Sequence, residues 1–201
     1  PKGSGRAFEA FIREFEGVLK NEYAVTDPDV TLTCAAAETA KAVSAERTVT
    51  LVQALTAMPQ GVEAMDTDFP GLVQTSLNMG VVKLDGDGLH IAFSIRSSIA
   101  SRKLMLAQRV RAVAALAGGT VAERGVYPGW QYKRESKFRD TLLAAYKDLT
   151  GKDGVVEATH GGLECGLLME KIPGLDAVSM GPELHDVHSC LLYTSDAADE
   201  L

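Results

Sequence analysis

The sequence predicts an α+β fold, in which helices cover one face of an antiparallel sheet, followed by a truncated α/β piece. The first observation is a β-hairpin, residues 72–84 and 89–95, joined by an Asp-Gly-Asp-Gly turn and flanked by helical patterns. The second is a pair of apolar runs, residues 155–156 and 175–180, on either side of a helix-prone segment. This β-turn-α-β order is typical of a mostly parallel sheet. We place the boundary between the two parts near residue 122.

The helices are predicted from hydrophobic residues that recur every three or four positions. They fall at residues 8–19, 46–58, 99–117, 136–149 and 163–171. Ser97 or Ser98 is the expected cap of the third helix, and Gly151 is expected to close the fourth.

The strands are predicted from β-prone residues and from alternation. Residues 30–34 are expected to form a strand early in the chain. In the second hairpin strand, Leu89, Ile91, Phe93 and Ile95 share one face, and the other face carries His90, Ala92, Ser94 and Arg96. One face of the hairpin should therefore belong to the core, and the other should face solvent.

Composition excludes several classes of function. The 201 residues carry a net charge of −7, without basic clusters, which argues against nucleic acid or an anionic membrane as a partner. No apolar run approaches the roughly 20 residues of a membrane span. Three widely spaced cysteines make neither a disulfide framework nor a zinc knuckle, and the first residues lack a signal-peptide pattern. We therefore expect a cytoplasmic protein.

Two local patterns indicate chemistry. His160-Gly161-Gly162 precedes a helix, where glycines allow close approach of a ligand and free N–H groups favour an anion. Farther on, Gly181-Pro182 leads into a loop with His185 and His188. A loop histidine is suited to metal binding or proton transfer, although such residues are more often simply solvated.

Together these segments resemble one enzyme family. His-Gly-Gly-Leu-Glu-Cys-Gly at residues 160–166, then Gly181-Pro182, and then His188-Ser189 after five residues resemble the back part of the dimetal dipeptidases of the M20 type, which cleave Xaa-His and other dipeptides. Further agreement lies upstream, at residues 58–62, 71–80, 94–98 and 127–130.

The resemblance implies a domain organisation. Residues 1–122 would be most of a lid domain with ferredoxin-like character, which often carries the contact of a homodimer. Residues 123–189 would be the C-terminal part of the catalytic domain. Residues 190–201 depart from the family pattern and resemble translated sequencing adapter, so we expect a non-native tail; a divergent natural terminus is the alternative.

The resemblance also implies a metal site. His188 would bind one of two divalent metal ions, zinc or alternatively cobalt or manganese, while His185 would be an ordinary loop residue. The family's other ligands and its general-base Glu precede the segment matched here. Because a zinc site needs about three protein ligands, we expect this chain alone to be inactive.

The substrate residues are a further implication. In the family, an Arg and an Asn of the lid hold the dipeptide carboxylate, and Arg96 and Asn78 match them; a surface arginine paired with an acidic residue is the alternative. His160, Gly161 and Gly162 would line the substrate groove, or His160 would simply end a strand. Glu164 would meet the substrate ammonium or favour the helix N-terminus through its charge.

Two other functions remain open at this point. The parent could be a sister M20 deacylase or tripeptidase, although Leu-Glu-Cys-Gly at residues 163–166 favours the dipeptidases. The chain could also be a dimerisation or binding module without catalytic activity.

Overall fold

The computed structural model describes residues 4–35, 42–181, 184–185 and 193–194, and the chain forms two units, residues 1–44 and 45–201. The first unit contains helix α1 (Ser4–Glu22), on which Phe8, Phe11 and Phe15 stack along one side. Residues 30–34, predicted as a strand, are not one, since they pair with no other strand in the described part of the chain. A strand is stable only when a neighbour accepts its hydrogen bonds.

The second unit begins with a helix and a three-stranded antiparallel sheet. Its elements are α2 (Ala45–Ala57), β1 (Gly61–Met65), β2 (Val73–Leu84), β3 (Leu89–Ser97), α3 (Ala100–Leu116), α4 (Lys137–Thr150), α5 (Glu164–Lys171) and the short pair β4 (Leu184–His185) and β5 (Tyr193–Thr194). The sheet order is β1-β2-β3. The antiparallel sheet with helices is thus confirmed, and β1 is a strand that the sequence pattern did not reveal.

The core lies between the sheet and the helices that precede and follow it. Met58, Leu77, Leu106 and Val110 form its buried cluster. Leu106 and Val110 come from α3, while Leu77 and the half-buried Phe93 and Ile95 come from the hairpin. The apolar face predicted for β3 is therefore the face that packs against α3.

The hairpin contains one irregularity that decides which residues face each other. Met79 pairs with Phe93, but Val81 pairs with Ala92, so Gly80 is an extra residue in β2. Such a bulge shifts the register by one and changes which residues share a face. The N-terminal half of β2 therefore points Ser76 and Asn78 away from the core.

The ends of two helices can be compared with prediction, and one agrees. Gly151 ends α4 with φ of 70°, as expected, and Ser136 caps its start, which was not predicted. The first helical residue of α3 follows Ile99, and neither Ser97 nor Ser98 caps it. The Ser97 hydroxyl is instead engaged with Thr75 Oγ1 at 2.8 Å and accepts from the Ile99 N–H.

The predicted α/β piece is only partly present. Helix α5 is confirmed, but residues 155–156 and 175–180 are not strands in the described part of the chain. Strands of a parallel sheet depend on neighbours for their hydrogen bonds, and the described residues supply none here. The boundary predicted near residue 122 falls inside the second unit and stays a prediction. Among the described residues, no helix has the length and apolar character to cross a membrane.

Candidate functional site

The candidate site begins on the face of the hairpin opposite the core. Ser76 pairs with Arg96, and Asn78 pairs with Ser94. Because directly paired residues point to the same side of a sheet, these four side chains share one polar face. Asn78, Ser94 and Arg96 are exposed there, and Ser76 is half-buried. Arg96 and Asn78, both predicted to bind substrate, are thus diagonal neighbours on this face. The pair Leu77–Ile95 lies between them along the strands and points to the other face.

His160 comes to this face from a distant part of the chain. Its Nε2 lies 3.4 Å from Ser76 Oγ, and the imidazole is half-buried. Burial and, secondarily, the positive charge of Arg96 lower the pKa of His160 from its ordinary value of 6.5. The imidazole is therefore neutral at neutral pH, with one nitrogen able to donate a hydrogen bond and the other able to accept one.

The glycines after His160 have identifiable local partners. The Gly161 N–H donates to Thr159 Oγ1 at 3.2 Å. Gly162 packs beside Tyr127, where a β-carbon would lie 3.3 Å from the Tyr127 Cβ. Gly162 thus serves a close contact within the chain, whatever it also does for a ligand.

Glu164 lies at the first position of α5 and is exposed. Its carboxylate suits the positive end of the helix dipole, and none of the described contacts joins it to His160 or to the hairpin. Cys165 is a half-buried free thiol.

The predicted metal ligand His188 lies outside the described residues, as do most of residues 190–201. Within the described ranges, no three His, Cys, Asp or Glu side chains come together as a metal site. The described part of the chain therefore does not by itself fit the two metal ions that the resemblance implies.

A second polar cluster is explained by the fold. Ser136 Oγ donates to the Asp176 carboxylate at 2.9 Å, and the Phe138 N–H donates to the same group at 3.2 Å. Burial opposes the charged form, but these hydrogen bonds and Lys133 outweigh it and lower the pKa of Asp176. The carboxylate thus serves the N-terminus of α4, although residue 176 lies in a run that was predicted to be a strand.

A cleft of about 620 Å³ lies beside this cluster. Its lining includes the two unpaired apolar runs and α4, through residues such as Val156, Val178, Leu142 and Tyr146. Neither His160 nor the hairpin contributes to it. The cleft is thus bounded by two segments whose sequences are typical of strands but which pair with no strand among the described residues.

Ser76 is the one residue of the site that the sequence did not indicate. It lies two positions before Asn78 and opposite Arg96. If the pairing of β2 with β3 continued regularly from the hairpin turn, Leu77 would lie opposite Arg96. The bulge at Gly80 shifts the register by one residue and brings Ser76 to that position instead. No sequence signal marked that bulge except the glycine itself.

Comparison with known proteins gives two consistent results. The chain is 32% identical over 182 residues to the cytosol non-specific dipeptidase of Escherichia coli (strain K12), a match that covers 90% of this chain and 38% of that protein. It superposes on the crystal structure of aminoacylhistidine dipeptidase from Vibrio alginolyticus with a TM-score of 0.82 at 30% identity, covering 92% of this chain and 38% of that one. No family model matches the chain.

The chain therefore spans about 38% of the length of these relatives. Within that share, the agreement extends over nine-tenths of the chain and includes both sequence and fold. The resemblance to the aminoacyl-histidine, or cytosol non-specific, dipeptidases is thereby confirmed for a portion of their length.

Proposed function

We propose that this chain is the substrate-holding portion of a dimetal dipeptidase of the M20 type. Residues 1–122 would form most of the ferredoxin-like lid, and residues 123–189 the C-terminal part of the catalytic domain. The similarity to two dipeptidases supports this assignment over a sister deacylase, a tripeptidase or a module without catalytic activity. The observation that carries it is the approach of His160 to Ser76 and Arg96 on the solvent face of the hairpin.

The dipeptide carboxylate is the group this face would hold. Arg96 supplies a planar guanidinium, whose paired N–H groups match the two oxygens of a carboxylate. Asn78, exposed on the same face, would donate from its amide. The chain as a whole has a net charge of −7. A fixed cation on this face would attract an anionic substrate end at close range, even though the net charge of the chain is negative.

His160 would assist as a neutral group. A protonated imidazole beside Arg96 would repel it, and burial disfavours that form as well. In its neutral form, His160 can bond the Ser76 hydroxyl through one nitrogen and present the other to the peptide. Gly161, Gly162 and Glu164 would border the same groove.

The metal site would be completed by residues outside this chain. His188 would supply one ligand, and the remaining ligands and the general-base Glu would come from the part of the relatives that this chain does not match. When bound, such ions activate water and polarise the peptide carbonyl. The homodimer through the lid and the cytoplasmic location belong to the same proposal.

Binding of the carboxylate can be tested by NMR. Titration of the ¹⁵N-labelled chain with β-alanyl-histidine should shift the Arg96 Nε–Hε signal and the signals of Asn78 and His160. The C-terminal amide of the same dipeptide should cause much smaller shifts, because it lacks the charge that Arg96 pairs with.

Two arginine variants provide the comparison. Arg96→Gln should weaken binding of β-alanyl-histidine about tenfold or more, as expected for losing a charge-assisted pair. Arg102→Gln removes an exposed arginine from α3 and should bind as the wild type does. Equal affinities of the two variants, or equal shifts with the amide, would contradict carboxylate recognition by this face.

A further inference from the structure

The segment 127–130 lies between the end of β3 and the segment that carries His160. On one side it meets the backbone of Ser97 and Ser98. A β-carbon at Gly129 would collide with the Ser98 carbonyl oxygen and lie 2.8 Å from its carbonyl carbon. This segment can therefore approach the hairpin so closely only because residue 129 has no side chain.

On its other side the 127–130 segment meets the residues that follow His160. A β-carbon at Gly162 would lie 3.3 Å from Tyr127 Cβ and 3.6 Å from Tyr127 Cγ. One at Gly166 would lie 3.3 Å from Trp130 Cβ and 3.4 Å from the Gly129 carbonyl oxygen. Three glycines thus allow three layers of chain to lie in contact: the end of β3, residues 127–130, and residues 162–166.

The 127–130 segment is also held in place from α3. Lys103 Nζ donates a hydrogen bond to the Tyr127 carbonyl oxygen, and burial lowers the pKa of this lysine. Tyr127 Cβ is attached directly to this backbone, so it cannot rotate away from Gly162 as the end of a flexible side chain could. The spacing between the hairpin and residue 162 is consequently set by contacts close to the backbone on both sides of this segment.

We propose that Gly129, Gly162 and Gly166 are positioning residues, which set the contact of His160 with Ser76 and Arg96 by allowing the 127–130 segment to pack between them. The use of that contact in binding a dipeptide rests on the proposed function, whereas the contact itself is independent of it. Gly162 thereby has a role inside the chain, distinct from the close approach to a ligand that the sequence suggested for Gly161 and Gly162.

Gly162→Ala is the direct test. The new methyl group must displace either Tyr127 or residue 162 by a few tenths of an ångström, and His160 lies only two residues away. We expect the pKa of His160, measured by NMR from its Cε1–H signal without any peptide, to rise toward 6.5 as the imidazole leaves its half-buried place. The Ser76 amide signal should change as well.

Gly161→Ala is the matched control. A β-carbon there would meet only Thr159 Oγ1, at 3.5 Å, which is an ordinary contact. Its His160 pKa should equal that of the wild type. A folded Gly162→Ala variant with an unchanged His160 pKa, or an equal shift in Gly161→Ala, would overturn the proposal.

Gly166→Ala keeps the test decisive if Gly162→Ala does not fold, as judged by circular dichroism. Its β-carbon would press on Trp130 at 3.3 Å, so the His160 pKa should rise in the same direction, and an unchanged value would equally overturn the proposal. Because no dipeptide is present, these results are independent of the carboxylate titration. A failure of the proposed function would appear only in that titration.

Discussion

At the scale of single residues, the polar face of the hairpin joins side chains that lie far apart in the sequence. The motifs singled out Arg96, Asn78 and His160, whose substrate roles stay predictions, and the structure brings Arg96 and His160 close enough for one charge to affect the other. Ser76 was missed because its place opposite Arg96 depends on the bulge at Gly80. A register shift of one residue leaves the composition of a strand unchanged, so the sequence pattern could not reveal it.

His160 makes the stability of the chain depend on pH. Its pKa is lowered in the folded state, so the unfolded chain binds more protons in the window between that pKa and 6.5. The contribution to stability is complete above 6.5 and falls as the pH drops through this window. His160→Asn removes this contribution to the slope.

Urea unfolding at about pH 7.5 and about pH 5 measures the effect. We expect the difference in unfolding free energy between wild type and His160→Asn to become smaller at the lower pH, since only the wild type pays for charging a half-buried imidazole. A difference that is the same at both pH values, or larger at the lower one, would show that residue 160 does not titrate in this environment.

At the scale of elements, helices were predicted better than strands. The amphipathic pattern of α4, with Ser136 before it and Gly151 after it, is contained within the element itself. A strand depends on its neighbours. Residues 155–156 and 175–180 have strand-like sequences but no partner in the described part of the chain, whereas β1 has a weak pattern and pairs with β2. The local sequence indicates the β-propensity of a segment, but whether the segment forms a strand depends on a neighbouring strand with which it can pair.

The N-terminus of α4 offers a measurable case. Ser136 is buried at 5% exposure, accepts from the Arg139 N–H and donates to Asp176. Ser136→Ala should therefore lower the unfolding free energy by about 1–2 kcal/mol, the usual cost of losing a helix cap.

Thr141→Ala is the control on the same helix. Its hydroxyl is exposed and bonds only the Lys137 carbonyl one turn earlier, so the change should stay within about 0.5 kcal/mol. Denaturant unfolding compares the two variants directly. Equal effects of Ser136→Ala and Thr141→Ala would mean that the cap does not hold α4 to the segment that contains Asp176.

At the scale of the whole molecule, the described residues combine a packed core with a polar face on the hairpin. The apolar runs along the cleft are unpaired among the described residues, and no described cluster could hold a metal ion. The relatives are longer, since this chain spans about 38% of their length. These features agree with our account, in which this chain would hold the substrate and most of the catalytic groups would come from the part of the relatives that it does not match.

The most direct test of that account is a hydrolysis assay on the purified 201-residue chain. β-Alanyl-histidine would be incubated with the chain in the presence of zinc, cobalt or manganese, and free histidine would be measured. We predict no release above the buffer control with any of the three ions. Metal-dependent cleavage that a chelator abolishes would contradict the account, because it would require a complete metal site within these residues.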